Sequence, residues 1–138
     1  MTPVLVDTGF LIALYDRSEP HHQICVQFHL ESKNRLMTCE AVINEAIYML
    51  RKQATAMKGI LESIRCGALE LPFRLGDHAA SVAELIEKYS DTPADLADAC
   101  LIQMADGLNT GDILTLDSDF LHYRWRKTKP FNLLIPIG

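Results

Sequence analysis

Several features that define membrane, secreted and nucleotide-triphosphate-hydrolysing proteins are missing from this sequence. No apolar run reaches the roughly 18 residues that a membrane-spanning helix needs, because Asp7 and Asp16 interrupt the hydrophobic amino terminus. The same segment has neither a basic stretch nor a small-residue cleavage site, so we expect a cytoplasmic protein with no membrane association. A phosphate-binding G-x-x-x-x-G-K-S/T loop is also absent, which leaves hydrolysis of nucleotide triphosphates unsupported.

Cysteine pairs with metal-ligand spacing are missing as well. The four cysteines lie far apart without a C-x-x-C motif, at Cys25, Cys39, Cys66 and Cys100. Three of them fall inside helix-like segments among apolar neighbours. We therefore predict buried free thiols rather than zinc ligands or a disulfide framework.

Positive charge is scarce overall. Lys and Arg number 13 against 18 Asp and Glu, and a net charge of −5 ordinarily argues against nucleic acid as a partner. However, the segment 123–129 interleaves four basic residues with two aromatic ones, a composition that can stack and screen an RNA strand. Its candidate contacts are Arg124, Trp125, Arg126 and Lys127, and a solvated loop is an equal alternative.

The composition and pattern that are present predict one α/β domain over residues 1–138. Hydrophobic residues make up 49% and charged residues 22%, and no linker, repeat or low-complexity tract interrupts the chain. Strand-like and helix-like segments alternate, which favours a parallel sheet with helices on both faces. Strands are predicted at 3–6, 36–38, 69–72, 113–117 and 132–135, and helices at 10–14, 21–32, 40–52, 55–65, 77–89 and 95–105.

Two aspartates close apolar strand-like runs at opposite ends of the chain. Asp7 follows Val4-Leu5-Val6, and Asp117 follows Ile113-Leu114-Thr115-Leu116. Open α/β sheets bind ligands at the carboxyl ends of their strands, so we expect these two side chains to meet. Either aspartate alone could be a turn residue, because Asp bonds readily to its own backbone.

A third aspartate, Asp98, is predicted on a helix that is apolar nearly all round. Thr92, Pro93 and Asp95 form a helix-start signal, in which Thr92 caps the helix and Asp95 supplies the acid of a capping box. Asp95 then needs no further role, whereas Asp98 lies beyond capping range. A buried carboxylate costs several kcal/mol unless it has a partner, so a metal or a base is implied.

A fourth acid, Glu45, is expected to be half-buried on its own helix. Taken alone, it is better explained as a surface-edge glutamate that pairs with Arg51 or another base. Together with the three aspartates it indicates a metal site. Because the set offers oxygen ligands without His or Cys, it favours Mg²⁺ or Mn²⁺ over zinc.

Four motifs in a characteristic order and spacing carry a family resemblance across the chain. They are Val6-Asp7-Thr8-Gly9, Asn44-Glu45-Ala46, Asp95-Leu96-Ala97-Asp98-Ala99 and Leu114-Thr115-Leu116-Asp117-Ser118-Asp119-Phe120. The sequence thereby resembles the PIN-domain nucleases, and within them the VapC-like toxins of bacterial and archaeal toxin–antitoxin pairs. The resemblance implies a three-layer α/β/α sandwich, RNA cleavage dependent on Mg²⁺ or Mn²⁺, a homodimer and a small antitoxin partner.

The resemblance also implies a catalytic quartet of Asp7, Glu45, Asp98 and Asp117. In the expected mechanism the three aspartates hold one or two ions, and Glu45 orients the attacking water. Asp119 is a candidate for a second or indirect contact with the metal. Only Ser118 separates it from Asp117, so which of the two is the direct ligand stays open, with Asp117 preferred because it continues the strand.

Two other classes of function compete with a nuclease. A catalytically inactive PIN-like module would bind RNA or a protein without needing the acids, although all four are present. A phosphatase or phosphoacceptor domain would react through a nucleophilic aspartate. A haloacid-dehalogenase-like enzyme would then need a second aspartate at the position of Gly9, and a receiver-like domain would need adjacent acids after its first strand.

Overall fold

Strands and helices alternate along the chain in a computed structural model, which describes residues 2–92 and 94–136. The strands are β1 (Pro3–Val6), β2 (Arg35–Met37), β3 (Leu69–Glu70), β4 (Asp112–Leu114), β5 (Arg124–Trp125), β6 (Lys129–Pro130) and β7 (Asn132–Leu133). The helices are α1 (Thr8–Tyr15), α2 (His22–Glu31), α3 (Glu40–Met49), α4 (Ala54–Arg65), α5 (Ala79–Lys88) and α6 (Leu96–Leu108). Short 3-10 turns cover Leu75–Asp77 and Ser118–Leu121.

A five-stranded parallel sheet in the order β3-β2-β1-β4-β7 forms the centre of the fold. From β1 the chain moves outward through β2 to β3 and then returns to the other side of β1 to form β4. Since such crossovers are right-handed, the reversal places helices on both faces of the sheet. The predicted α/β/α sandwich with a central parallel sheet is confirmed.

The central strands are buried on both faces, which explains why they are continuous apolar runs. Val4, Leu5 and Val6 in β1 are at most 1% exposed, and most of α6 is also buried. Two threonine hydroxyls tie neighbouring segments to β1: Thr38 donates to the carbonyl oxygen of Val6 at 2.6 Å, and Thr110 donates to that of Pro3 at 3.0 Å. The strand that presents Asp7 is therefore firmly anchored.

Element ends differ from the predicted ones where local signals compete with packing. The strand predicted over 113–117 ends at Leu114, so Asp117 lies in the following turn. The segment 123–129 is neither a loop nor an open platform, because β5 and β6 pair as an antiparallel hairpin. Arg126 and Lys127 turn its corner with φ angles of 45° and 68°. A non-glycine turn of this kind has no strong sequence signal.

The cysteine prediction is confirmed for three of four positions. All four thiols are free, and Cys25, Cys39 and Cys100 are buried. Cys66 is exposed, because it follows the last turn of the amphipathic helix α4 on its solvent side. Within the part of the chain that the structure describes, no helix is both long and apolar enough to cross a membrane.

Two glycines on either side of Asn109 offer a matched test of this packing. A Cβ on Gly111 would lie 2.2 Å from Nε1 of Trp125, which donates to the carbonyl oxygen of Pro130. We expect Gly111→Ala to destabilise the protein by about 1–3 kcal/mol in urea unfolding, because the indole must move. Gly107 is exposed in α6 with open space around it, so Gly107→Ala should stabilise by about 0.5–1 kcal/mol. Equal free energies of unfolding for the two variants would contradict the close packing of Trp125 against Gly111.

Candidate metal centre

Three carboxylates from separate parts of the chain converge at the carboxyl edge of the sheet. Asp7 directly follows β1, Asp117 follows β4, and Asp98 lies in the first turn of α6. Each offers an oxygen atom, and these atoms all lie within 4.8 Å of one another. Because β1 and β4 are parallel neighbours, their carboxyl ends bring Asp7 and Asp117 together, as the sequence predicts.

Threonine and backbone groups hold two of these carboxylates in place. Oδ1 of Asp7 accepts from the backbone N–H of Thr8 at 2.7 Å, and Oδ2 accepts from the hydroxyl of Thr115 at 2.8 Å. The Thr115 hydroxyl in turn accepts from the backbone N–H of Asp117 at 3.0 Å. Oδ1 of Asp117 accepts from the N–H of Asp119 at 2.9 Å. Thr115 thus links the two strand-end aspartates.

The helix that carries Asp98 begins later than predicted. Asp95 itself is the N-cap, and its Oδ1 accepts from the backbone N–H of Asp98 at 2.8 Å. The expectation that Thr92 caps the helix and that Asp98 lies beyond capping range is therefore wrong: Asp98 is the third helical residue. Threonine and aspartate can both serve as the N-cap of a helix, and in this structure Asp95 does. Pro93, predicted as the first helical residue, lies outside the described residues.

The surroundings of the two buried aspartates, Asp7 and Asp98, disfavour the charged form of their carboxyl groups. Burial raises the pKa of Asp7 to about 6, although the bonds from Thr115 and Thr8 partly oppose this. Burial also raises the pKa of Asp98 to about 7, with further contributions from the charges of Asp95 and Asp7. The ion pairs found in residues 2–92 and 94–136 lie elsewhere, so no basic side chain compensates these acids there.

Glu45 faces the same cluster from α3. Its pKa is raised by burial first and then by the charges of Asp95 and Asp7, while the Thr8 hydroxyl lowers it. The alternative pairing with Arg51 is wrong, because that guanidinium donates to the carbonyl oxygen of Tyr48 at 2.9 Å. Glu45 is half-buried, as predicted.

Asp95 contributes more than a cap. Its charge raises the pKa of Asp7, Glu45 and Asp98, so it is a further acid at the rim of the cluster. The sequence analysis gave it no role beyond capping. Its position three residues before Asp98, on the same side of the first helical turn, was the available signal.

The donor set fits a hard divalent cation. Carboxylate oxygens without His or Cys are the ligands that Mg²⁺ and Mn²⁺ prefer, and a bound cation would offset the repulsion among these acids. The buried hydroxyl of Thr8 beside Asp7 has no hydrogen-bond partner of ordinary geometry in the described part of the chain.

The remaining predicted contacts have different surroundings. Asp119 is half-buried and lies outside the group of three converging oxygens, so its contact with a metal stays a prediction.

The indole of Trp125 is 9% exposed, and Lys129 Nζ lies 4.8 Å from its ring centroid. Its face is therefore not open for the predicted base stacking. The guanidinium of Arg124 donates to backbone carbonyl oxygens, whereas Arg126 and Lys127 are exposed.

One residue of the cluster was missed by the sequence analysis. Tyr123 is fully buried, and its hydroxyl donates to Oδ2 of Asp98 at 3.0 Å. The neighbouring basic residues had made this tyrosine look like part of an exposed stretch. Its spacing of three residues from Phe120, which is also buried, was the signal for an inward-facing turn.

The fold and the site define an α/β protein with a carboxylate centre at the carboxyl edge of a parallel sheet. The chain belongs to the PIN-domain family, whose sequence profile matches residues 4–126. The resemblance seen in the sequence is confirmed.

Two proteins of Mycobacterium tuberculosis are similar to the whole chain. Ribonuclease VapC26 (strain ATCC 25618 / H37Rv) is 29% identical over 137 residues, which cover 98% of this chain and 94% of the relative. The crystal structure of VapC20, described as a sarcin-ricin loop cleaving toxin, superposes with a TM-score of 0.80 at 16% identity. That match covers 92% of this chain and 99% of the other, and it supports the fold.

The raised pKa values predict an unusual pH dependence of the metal-free protein. Asp7 and Asp98 bind protons more tightly in the folded state than in the unfolded state. The free energy of unfolding should therefore fall as the pH rises from about 4 to about 7. Asp98→Asn should flatten this slope and stabilise the metal-free protein at pH 8, on the order of 2 kcal/mol after solvent screening. Urea unfolding in EDTA measures both effects.

An exposed acid supplies the control for this experiment. Asp91 lies on the surface away from the cluster of three converging oxygens, so Asp91→Asn should retain the wild-type slope. An Asp98→Asn protein with an unchanged slope would show that neither burial nor the charges of Asp95 and Asp7 raise the pKa of Asp98.

Proposed function

We propose that this protein is a metal-dependent ribonuclease of the VapC type, which hydrolyses phosphodiester bonds of RNA with Mg²⁺ or Mn²⁺. The observation that carries the proposal is the convergence of three carboxylate oxygens, within 4.8 Å, at the strand-end edge of a PIN-domain sheet. The names of the two mycobacterial relatives support the substrate class.

Asp7, Asp98 and Asp117 would hold the ion, with Asp119 as a further contact. A bound Mg²⁺ or Mn²⁺ supplies Lewis acidity, which polarises the scissile phosphate and the attacking water. Thr115 keeps two of the carboxylates in a shared geometry, so that little reorganisation is needed when a ligand binds.

Glu45 would orient the attacking water and receive its proton. It faces the cluster from a different helix, α3, where a carboxylate outside the set of metal ligands can accept a proton from the water. The hydroxyl of Thr8, which lowers the pKa of Glu45, would help to orient the same water.

The VapC resemblance extends the proposal to partners and location. We expect a homodimer, a small antitoxin as protein partner and a cytoplasmic location, with residues 1–138 acting as one domain. Size-exclusion chromatography with light scattering tests the dimer.

Metal titration tests the site before any substrate is known. Calorimetric titration of Mn²⁺ into the wild type should show binding, and Asp98→Asn should abolish it because one of three ligands loses its charge. Asp91→Asn is the matched control and should bind as the wild type does.

Cleavage of a structured RNA pool should follow the same pattern. The wild type should cut in Mg²⁺ or Mn²⁺, lose activity in EDTA and regain it on metal addition, while Asp7→Asn and Asp98→Asn stay inactive. A folded wild type that binds Mn²⁺ but binds RNA without cutting it would favour the catalytically inactive PIN-like module instead.

The exposed corner of the β5–β6 hairpin should contribute to RNA binding. Replacing Arg126 and Lys127 together by Gln should weaken RNA affinity and lower the salt slope by about 0.7 per lost phosphate contact. The measurement is a salt series of affinities in the Asp98→Asn background, which prevents cleavage. Lys33→Gln, beside the amino end of β2 at the opposite edge of the sheet, is the control. Identical slopes in all variants would remove the hairpin from the RNA interface.

A further inference from the structure

We propose that Tyr123 is a positioning residue of the metal centre, which fixes the carboxylate of Asp98 so that its Oδ1 is presented to the ion. The inference rests on the metal site proposed above. It assigns a role to a side chain that lies far from Asp98 in the sequence and near it only in the folded protein.

The contact between the two residues is direct and shielded. Tyr123 is 0% exposed, Asp98 is 8% exposed, and the phenol donates to Oδ2 at 3.0 Å. Charge-assisted hydrogen bonds of this kind are stronger than neutral ones, and a low local dielectric strengthens them further. The Asp98 side chain therefore has one preferred rotation in this environment.

The ring of Tyr123 is itself held from two sides. Tyr89 and Phe120 each pack edge-on against it, with centroid distances of 5.0 Å in both cases. Phe120 in turn packs edge-on against Phe131 at 5.3 Å. The hydroxyl is thus carried by a rigid aromatic cluster, which makes it suitable for holding a carboxylate within a narrow range of angles.

The three aspartates differ in what holds them. Asp7 and Asp117 each accept a hydrogen bond from a backbone N–H one or two residues along the chain, and Asp7 also accepts from the hydroxyl of Thr115. The side chain of Asp98 accepts from Tyr123. Asp98 extends from a helix and has no equivalent local donor for its carboxylate in the part of the chain that is described. Its orientation depends on a residue from a different element.

The hydrogen bond from Tyr123 to Oδ2 of Asp98 affects metal binding through the orientation of the carboxylate. Tyr123 donates to Oδ2 and thereby fixes the plane of the carboxylate, while Oδ1 of Asp98 has no hydrogen bond in the described part of the chain and can contact the cation. Without the phenol the carboxylate can rotate, and metal binding must then restrict that rotation at a cost in free energy. Outer partners of metal ligands typically contribute about 10–100-fold to metal affinity.

The same contact connects the metal centre to the hairpin. Arg124 follows Tyr123 directly, and its backbone N–H donates to the hydroxyl of Tyr89 at 2.9 Å. Tyr123 therefore orients Asp98, while the hydroxyl of Tyr89 holds the start of β5. The basic corner that we assign to RNA binding is held in a defined position relative to the metal ligand.

Tyr123→Phe separates positioning from packing, because it keeps the ring and removes only the donor. We expect its Mn²⁺ affinity, measured by calorimetry, to fall by about 10–100-fold with unchanged stoichiometry. Tyr89→Phe removes a hydroxyl from the same aromatic cluster without touching a carboxylate, so it should bind Mn²⁺ as the wild type does. Saturating metal should restore most of the cleavage rate of Tyr123→Phe.

The outcomes distinguish this inference from the proposed function. Wild-type affinity in Tyr123→Phe, together with loss of binding in Asp98→Asn, would overturn the positioning role and leave the metal site standing. No Mn²⁺ binding by the folded wild type would overturn both. Equal losses in Tyr123→Phe and Tyr89→Phe would assign the effect to the aromatic packing and also overturn the role.

A measurement on the unaltered chain covers the case in which Tyr123→Phe fails to fold. The protein has four tyrosines, which can be labelled with 3-fluorotyrosine and followed by fluorine NMR. Single Phe replacements of Tyr15, Tyr48 and Tyr89 assign the fourth resonance by elimination. Mg²⁺ should shift the Tyr123 resonance more than the other three, and an unmoved Tyr123 resonance would overturn the proposal.

Discussion

Mutual repulsion of carboxylates that are partly removed from water is the constraint on which this molecule depends. Asp7, Asp98 and Asp117 bring oxygens within 4.8 Å of one another, and burial raises the pKa of the first two. A chain that only maximised its stability would separate these groups or place a base among them. The fold instead holds them together, and a bound divalent cation would offset the repulsion among them.

The surrounding elements supply the rigidity that this arrangement requires. β1 and α6 are among the most buried elements of the protein, and each presents one acid at its end that faces the site. Thr115 connects Asp7 with Asp117, and Tyr123 holds Asp98. The polar groups around the cluster are thus anchored on apolar packing, which limits how far they can move.

Local sequence signals predicted the acids well and the details around them poorly. Asp7 and Asp117 were recognisable because an apolar run that ends in an acid is costly unless the acid has a function. The N-cap of α6 was predicted at Thr92 and lies at Asp95, because both residue types can cap a helix and the local pattern does not choose between them. Trp125 was a candidate for base stacking, with a solvated loop as an equal alternative. Its basic neighbours concealed that the indole packs over Gly111.

The sequence by itself determined the fold class and the four acidic positions, because hydrophobic periodicity and the cost of a buried charge are properties of short segments. The tertiary structure decided how those acids meet, which donors hold them and that Tyr123 and Asp95 join them. These relations depend on pairing between β1 and β4 and on packing of α6 against its neighbours. Contacts between residues far apart in the chain leave no local pattern from which they could be predicted.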